Sequence, residues 1–198
     1  MEAIDAIMTR RSTRRFKSET PDEETIGKIV QAGRYAPSGS NSQTNKFFVV
    51  TAREIIDELA KRAQAAFAKM DADDETYVSL KSSINQSKKG DYHFAYHAPV
   101  LIIVANKKDY GNNVADVACA IENMMIAANA LDLGSCWVNQ LRWLNEDADI
   151  LTYLMERGLK DDERVYGSVI VGYPDGTADG KPHRKMFEHK GNKVIYLR

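Results

Sequence analysis

The chain has 198 residues, 27 basic and 28 acidic side chains and a formal net charge of −1, with 43% hydrophobic and 28% charged content. That composition excludes a disordered chain, and the near-neutral balance leaves no overall field for nucleic acid or an anionic membrane, so any anion site must be local. Two cysteines are too few for a disulfide framework and lack metal-ligand spacing, no apolar run has membrane-spanning length, and acids stand where a secretory leader carries bases. A single cytoplasmic domain spanning 1–198 with reduced thiols is therefore expected, Cys119 in its core.

Ile4, Ile7 and Met8 fall at helical spacing over residues 2–9, and Arg10, Arg11, Arg14 and Arg15 follow within "TRRSTRRF". Thr20, Pro21 and Glu23 read as the cap, first residue and capping-box acid of a helix reaching Tyr35. The polar loop "APSGSNSQ" (36–43) comes next, then an apolar β-branched strand at 47–51. A second capping box, Thr51 with Glu54, opens a helix through Ile55, Leu59, Ala63 and Phe67 to about Met70.

From Asp71 to Gly90 the sequence turns polar and loses its period, which predicts a mobile excursion or lid, extending to residue 97. "VLIIVAN" (100–106), apolar without interruption, predicts a central strand. Asn113 with Asp116 caps a long helix whose Val117, Ile121, Met124, Met125, Ala128 and Leu131 mark the core helix. "SCWVNQL" reads as a strand end, Asn145 as the cap of a helix closing at Gly158, and "VYGSVIVGY" (165–173) as the last strong strand. The tail from 177 is polar until "KVIYL" (193–197), a β-like run that needs a sheet edge or another chain. Helix and strand alternation argues for a sheet with helices on both faces.

Two stretches could carry chemistry. The arginine cluster is either a solvated face, or a patch touching nucleic acid, or a local anion site in which planar guanidiniums and the Ser12 hydroxyl hold a phosphate. The 36–43 loop is either an ordinary turn or a small-residue surface that lets backbone approach a flat ligand while Asn41 and Gln43 supply donors and acceptors. His93 and His97 stand i, i+4, but no glutamate follows His93 as in H-E-x-x-H and the sequence offers no third ligand nearby, so no metal is expected. No G-x-G-x-x-G fingerprint of a tightly held dinucleotide occurs.

Taken in order, "RRSTRRF", "APSGSNSQ", "DVACAIENMMIAANALDLGSCWV" (116–138) and "VIVGYP" (169–174) resemble the FMN-dependent nitroreductase family over most of the chain. The resemblance implies an α+β fold, a three-layer α/β/α sandwich with a mostly antiparallel central sheet, and an intertwined homodimer with FMN at each interface, the arm 177–198 reaching the partner subunit. It implies that Arg10, Arg11 and Ser12 hold the phosphate and that Arg14, an electrostatic stabiliser, lies over the flavin edge. Pro37, Ser38, Gly39 and Asn41 would come from the partner, Asn139, Gln140 and Leu141 would form the turn facing the reactive nitrogen, and Lys181 and Arg184 would be a second basic element. Tyr92, His93 and Tyr96 would line the substrate side. The implied activity is hydride transfer from NAD(P)H through FMN to a nitroaromatic, quinone or similar acceptor by a ping-pong cycle, with a flavin-binding sensor or storage protein as the alternative. The sequence departs from the family at Thr44 and Asn45, where proline and tryptophan are common.

Overall fold

The computed structural model describes residues 1–177, 179–184, 186, 188, 190, 191 and 193–197. Helix α1 (Ala3–Thr9) precedes α2 (Glu23–Arg34), β1 (Lys46–Val50), α3 (Arg53–Ala68), α4 (Val78–Lys88), β2 (Val100–Lys107) and α5 (Asn113–Ala130). Then come β3 (Gly134–Val138), α6 (Gln140–Trp143), α7 (Ala148–Met155) and β4 (Glu163–Gly172). The strands form one sheet in the order β1-β2-β4-β3, every neighbouring pair antiparallel.

The unbroken apolar run of β2 has a geometric cause. Successive strand residues face opposite ways, so Val100, Ile102 and Val104 enter a core with Ile29 of α2 and Ile121 and Met124 of α5. Leu101, Ile103 and Ala105 enter the other core with Ile56, Leu59 and Phe67 of α3 and Leu154 of α7. Both faces are covered, so neither register can be polar, and three layers result. Helices α2 and α5 cross closely at Gly33, where an added Cβ would lie 2.9 Å from Met124. Among the described residues no helix is long and apolar enough to cross a membrane.

Several local expectations are corrected. Asp22 caps α2 by accepting the Thr25 N–H at 2.7 Å, leaving Thr20 and Pro21 outside. No side chain caps α3, whose N-cap is Ala52. Asn113 is the first residue of α5, and its amide donates to the Lys107 and Lys108 carbonyls and to the Tyr166 hydroxyl. Asp147, with two N–H donors, caps α7, while Asn145 pairs with both backbone groups of Val165. Cys119 is exposed rather than core; Cys136 is buried, and both thiols are free. Residues 78–88 are helical against α3, with Ser83, Ile84 and Ser87 inward; two of these three are serines, which removed the apolar period from the sequence. Residues 193–197 form no strand.

Candidate active site

After α1 the chain lies along the outer edge of β3. Ser12 bridges Ser135, the Thr13 N–H donates to the Ser135 carbonyl at 2.9 Å, and the Lys17 N–H donates to Tyr173 at 2.9 Å. This approach needs Gly134, where a Cβ would sit 2.7 Å from the Thr13 side chain. Two cavities open along the edge. One, of about 670 Å³, is lined by Arg11, Ser12, Arg14, Arg15, Gly176 and His183. The other, of about 130 Å³, is lined by Arg14, Tyr77, Tyr96, Cys136, Trp137, Asn139 and Gln140, so Arg14 belongs to both.

The cationic groups here are engaged to different degrees, Arg15 being paired with Asp175 at 3.2 Å. Arg10 approaches Glu122 of α5 at 3.5 Å, and its buried Nε makes no hydrogen bond. Arg11 donates to the Met8 and Arg10 carbonyls at 3.1 and 2.5 Å. The Arg14 guanidinium lies 6.0 Å from the Tyr96 ring centre, within reach of a cation–π contact. Burial pushes the Cys136 thiol up despite the nearby charge of Arg14, so it remains protonated.

The β3–α6 junction closes the smaller cavity. Asn139 accepts the Trp137 indole N–H at 2.8 Å. Gln140 donates to the Tyr92 hydroxyl at 2.8 Å, while its own Oε1 is buried without a hydrogen-bond partner. Tyr92 also meets Ser83 of α4 at 2.7 Å, and burial holds its phenol above the ordinary value, hence neutral. Leu141 is core. Of the three tyrosine and histidine candidates, Tyr96 alone is among the residues lining this cavity; Tyr92 is buried, and His93 is engaged with Asp57 at 3.0 Å.

Lys181 and Arg184 converge on Asp132, at 3.0 and 2.5 Å, just past the end of α5. Asp132 is left-handed there, at φ 62°. Asn129 ties the same region to α1 by donating to the Ala6 carbonyl and Thr9 hydroxyl, so the second basic element lies near the first without pairing with it.

The 36–43 loop is elsewhere. It leads into β1, the opposite edge of the sheet, and Ser38 and Asn41 line a separate cavity of about 530 Å³ with Tyr35 and Gln43. Three inter-strand steps, roughly 14 Å, separate β1 from β3. Pro37 is exposed, and Ser40, Asn41 and Gln43 have positive φ. The loop is latched to α5: the buried Asp116 carboxylate accepts the Gly39 N–H at 3.2 Å and the Tyr110 hydroxyl at 3.0 Å. A Cβ on Gly39 would meet Asn112 at 2.1 Å. Asn45, one of the departures, donates to the Asp116 carbonyl and accepts from Asn106. The latch was hidden because Asp116 reads as a helix-start acid, and Tyr77 and Ser83 because they fall in the stretch without apolar period.

The Nitroreductase family profile matches residues 7–173. The chain belongs to the nitroreductase family. A Bacteroides fragilis nitroreductase crystallised with FMN is 34% identical and superposes with a TM-score of 0.85, each chain fully covered. A Desulfitobacterium hafniense nitroreductase with FMN, 24% identical and fully covered on both sides, shares the fold at 0.81. A curated relative from Archaeoglobus fulgidus, provisionally named an NADH dehydrogenase/NAD(P)H nitroreductase, is 28% identical over 90% of this chain and 88% of its own. The nitroreductase architecture and an oxidoreductase class follow; the layers described above are that architecture.

Proposed function

We propose that this nitroreductase-family protein is an FMN-dependent oxidoreductase taking hydride from NAD(P)H and reducing a nitroaromatic, quinone or similar acceptor. The observation that carries the reading is the pair of adjoining cavities along β3 with Arg14 common to both. The donor set fits the cofactor: the Ser12 hydroxyl and the side chains of Arg11, Arg14 and Arg15 line the larger cavity, suited to a phosphate, and Arg10 precedes them in the chain with its Nε 3.5 Å from Glu122. Bound there, FMN supplies the hydride chemistry.

The chain's own residues do the rest. Arg10, Arg11 and Ser12 bind the phosphate, with Lys181 and Arg184 as an outer basic element. Arg14 holds positive charge where negative charge arrives with the electrons, and its effect would be enlarged where the bound ring displaces water from the crevice. Asn139 and Gln140 form the floor of the ring end, with Leu141 anchoring the turn in the core, and Tyr96 lines the side from which donor and acceptor enter in turn, the ping-pong order.

One chain leaves the loop of Pro37, Ser38, Gly39 and Asn41 at the wrong edge for its own crevice. In our reading the loop serves the partner's flavin in a cytoplasmic homodimer, and the arm 177–198 crosses to that partner. Purification tests this. A yellow protein whose flavin absorbance is bleached by NADH or NADPH and restored by a nitroaromatic or quinone is expected. Colourless protein that ignores added FMN ends the reading, and tight FMN with negligible turnover favours the storage alternative.

A further inference from the structure

Residues 93–97 form a turn that its own backbone does not favour. Tyr96 and His97 are both left-handed, at φ 49° and 55°, a conformation costly to any residue with a Cβ and persistent only where surroundings over-determine it. The surroundings here come from α3. Arg53 donates to the His97 carbonyl at 3.0 Å and, from its other nitrogen, to His97 Nδ1 at 3.0 Å. Its Nε donates to Asp57 at 3.0 Å. Asp57 also accepts from His93 Nε2 at 3.0 Å, and His93 Nδ1 accepts the His97 backbone N–H at 3.3 Å.

These contacts are mutually consistent only for neutral imidazoles. His93 carries its proton on Nε2 and His97 leaves Nδ1 bare for Arg53. Burial holds the His93 pKa below its ordinary 6.5, against the pull of Asp57, which keeps the ring neutral at neutral pH.

We propose that Arg53, Asp57 and His93 form a clamp that positions Tyr96 as the acceptor-selecting wall of the crevice beside Arg14. The proposal rests on reading that crevice as the flavin site. The Tyr96 ring lines the cavity shared with Arg14 and Trp137, while its own turn is unfavourable, so the clamp's product is the ring's position. The same groups invite a metal, since ligand atoms of Asp57, His93 and His97 lie within 4.8 Å of one another, a two-imidazole, one-carboxylate set. Two facts favour the clamp. The Arg53 guanidinium already uses His97 Nδ1 and Asp57, and would face an incoming cation. Ligation through His93 Nε2 would also drive its proton to Nδ1, against the His97 N–H.

The test uses the purified holoprotein, with Arg53→Gln, Tyr96→Ala and the double variant. For Arg53→Gln and Tyr96→Ala alike, kcat/KM for a two-ring quinone relative to a one-ring quinone rises by about fivefold. The double variant matches Tyr96→Ala alone, because the clamp acts only through that ring. Additive effects, or an unchanged ratio, overturn the proposal. A crystal structure of Arg53→Gln is expected to show Tyr96 and His97 released from positive φ; an unmoved turn overturns it too. Arg53→Lys and Asp57→Asn carry the same readouts if the first variant does not fold. Stoichiometric Zn²⁺ binding by calorimetry, lost in His97→Ala, replaces the clamp with a metal site. A released turn in a protein that never binds FMN sinks the functional reading and leaves the clamp.

Discussion

The two ends of the chain carry basic and apolar residues in similar measure, yet they dock differently. The segment 10–17 finds its partner inside the subunit, bridging Ser135 and Pro174 and receiving Thr13 against Gly134. The tail is tethered at Lys181 and Arg184, and beyond that Val194, Ile195, Tyr196 and Leu197 are between 74% and 94% exposed. An apolar run so exposed is a surface awaiting cover. The lesson is that the first end is docked on its own subunit's sheet, whereas among the described residues nothing covers the apolar run of the second, the run that our reading gives to the partner.

The largest effect should come from deleting residues 190–198. The three exposed aliphatic side chains would each bury for about 1.5–3 kcal/mol, partly offset by ordering. Self-association should weaken by at least about 100-fold in sedimentation; unchanged sedimentation would break the contrast between the ends. Next is Arg14→Ala, which should remove about 1–3 kcal/mol of stabilisation from the reduced cofactor. For a two-electron couple that places the potential about 20–60 mV more negative. Dye-equilibration that finds no shift would strip Arg14 of its role.

Gly134→Ala probes the inner docking directly. The new methyl would collide with Thr13, lowering stability by about 1–3 kcal/mol and loosening FMN, read by calorimetry and flavin fluorescence. Thr13→Gly in the same chain should restore most of it. The smallest effect belongs to Asp132→Asn, at most about 1 kcal/mol at neutral pH because the pair is solvent-screened. Arg184 first, and then Lys181, pull the Asp132 carboxyl below its ordinary 3.8, against partial burial. Its contribution is therefore complete above that value and lost as pH falls through the lowered one. Wild-type melting temperature should fall more steeply than that of the variant on acidification below about pH 4.

Much of the fold was legible where an apolar period met a covered surface. The runs that became β2, β4 and α5 were readable because their burial is nearly complete, and so was the three-layer arrangement. Capping was less so: Thr20, Thr51 and Asn145 have the right chemistry for N-caps, but Asp22, Ala52 and Asp147 hold those positions because tertiary packing sets where each helix starts. Helix α4 was missed because it buries serines. The arginine cluster could be read as one of three things, and the geometry that favours a ligand site is the pair of cavities sharing Arg14, set along β3 by the Ser12–Ser135 bridge made across more than a hundred residues.

From the sequence alone came the element types of the periodic segments, the local concentration of guanidinium groups on a near-neutral chain and the likeness to a known family. Only the tertiary structure decided that the arginines and the 36–43 loop stand at opposite sheet edges, that Asp116 latches the loop, and that Arg53 and Asp57 brace the turn of Tyr96. The reason is physical: a local pattern records which side of a segment avoids water, but not which distant segment covers it.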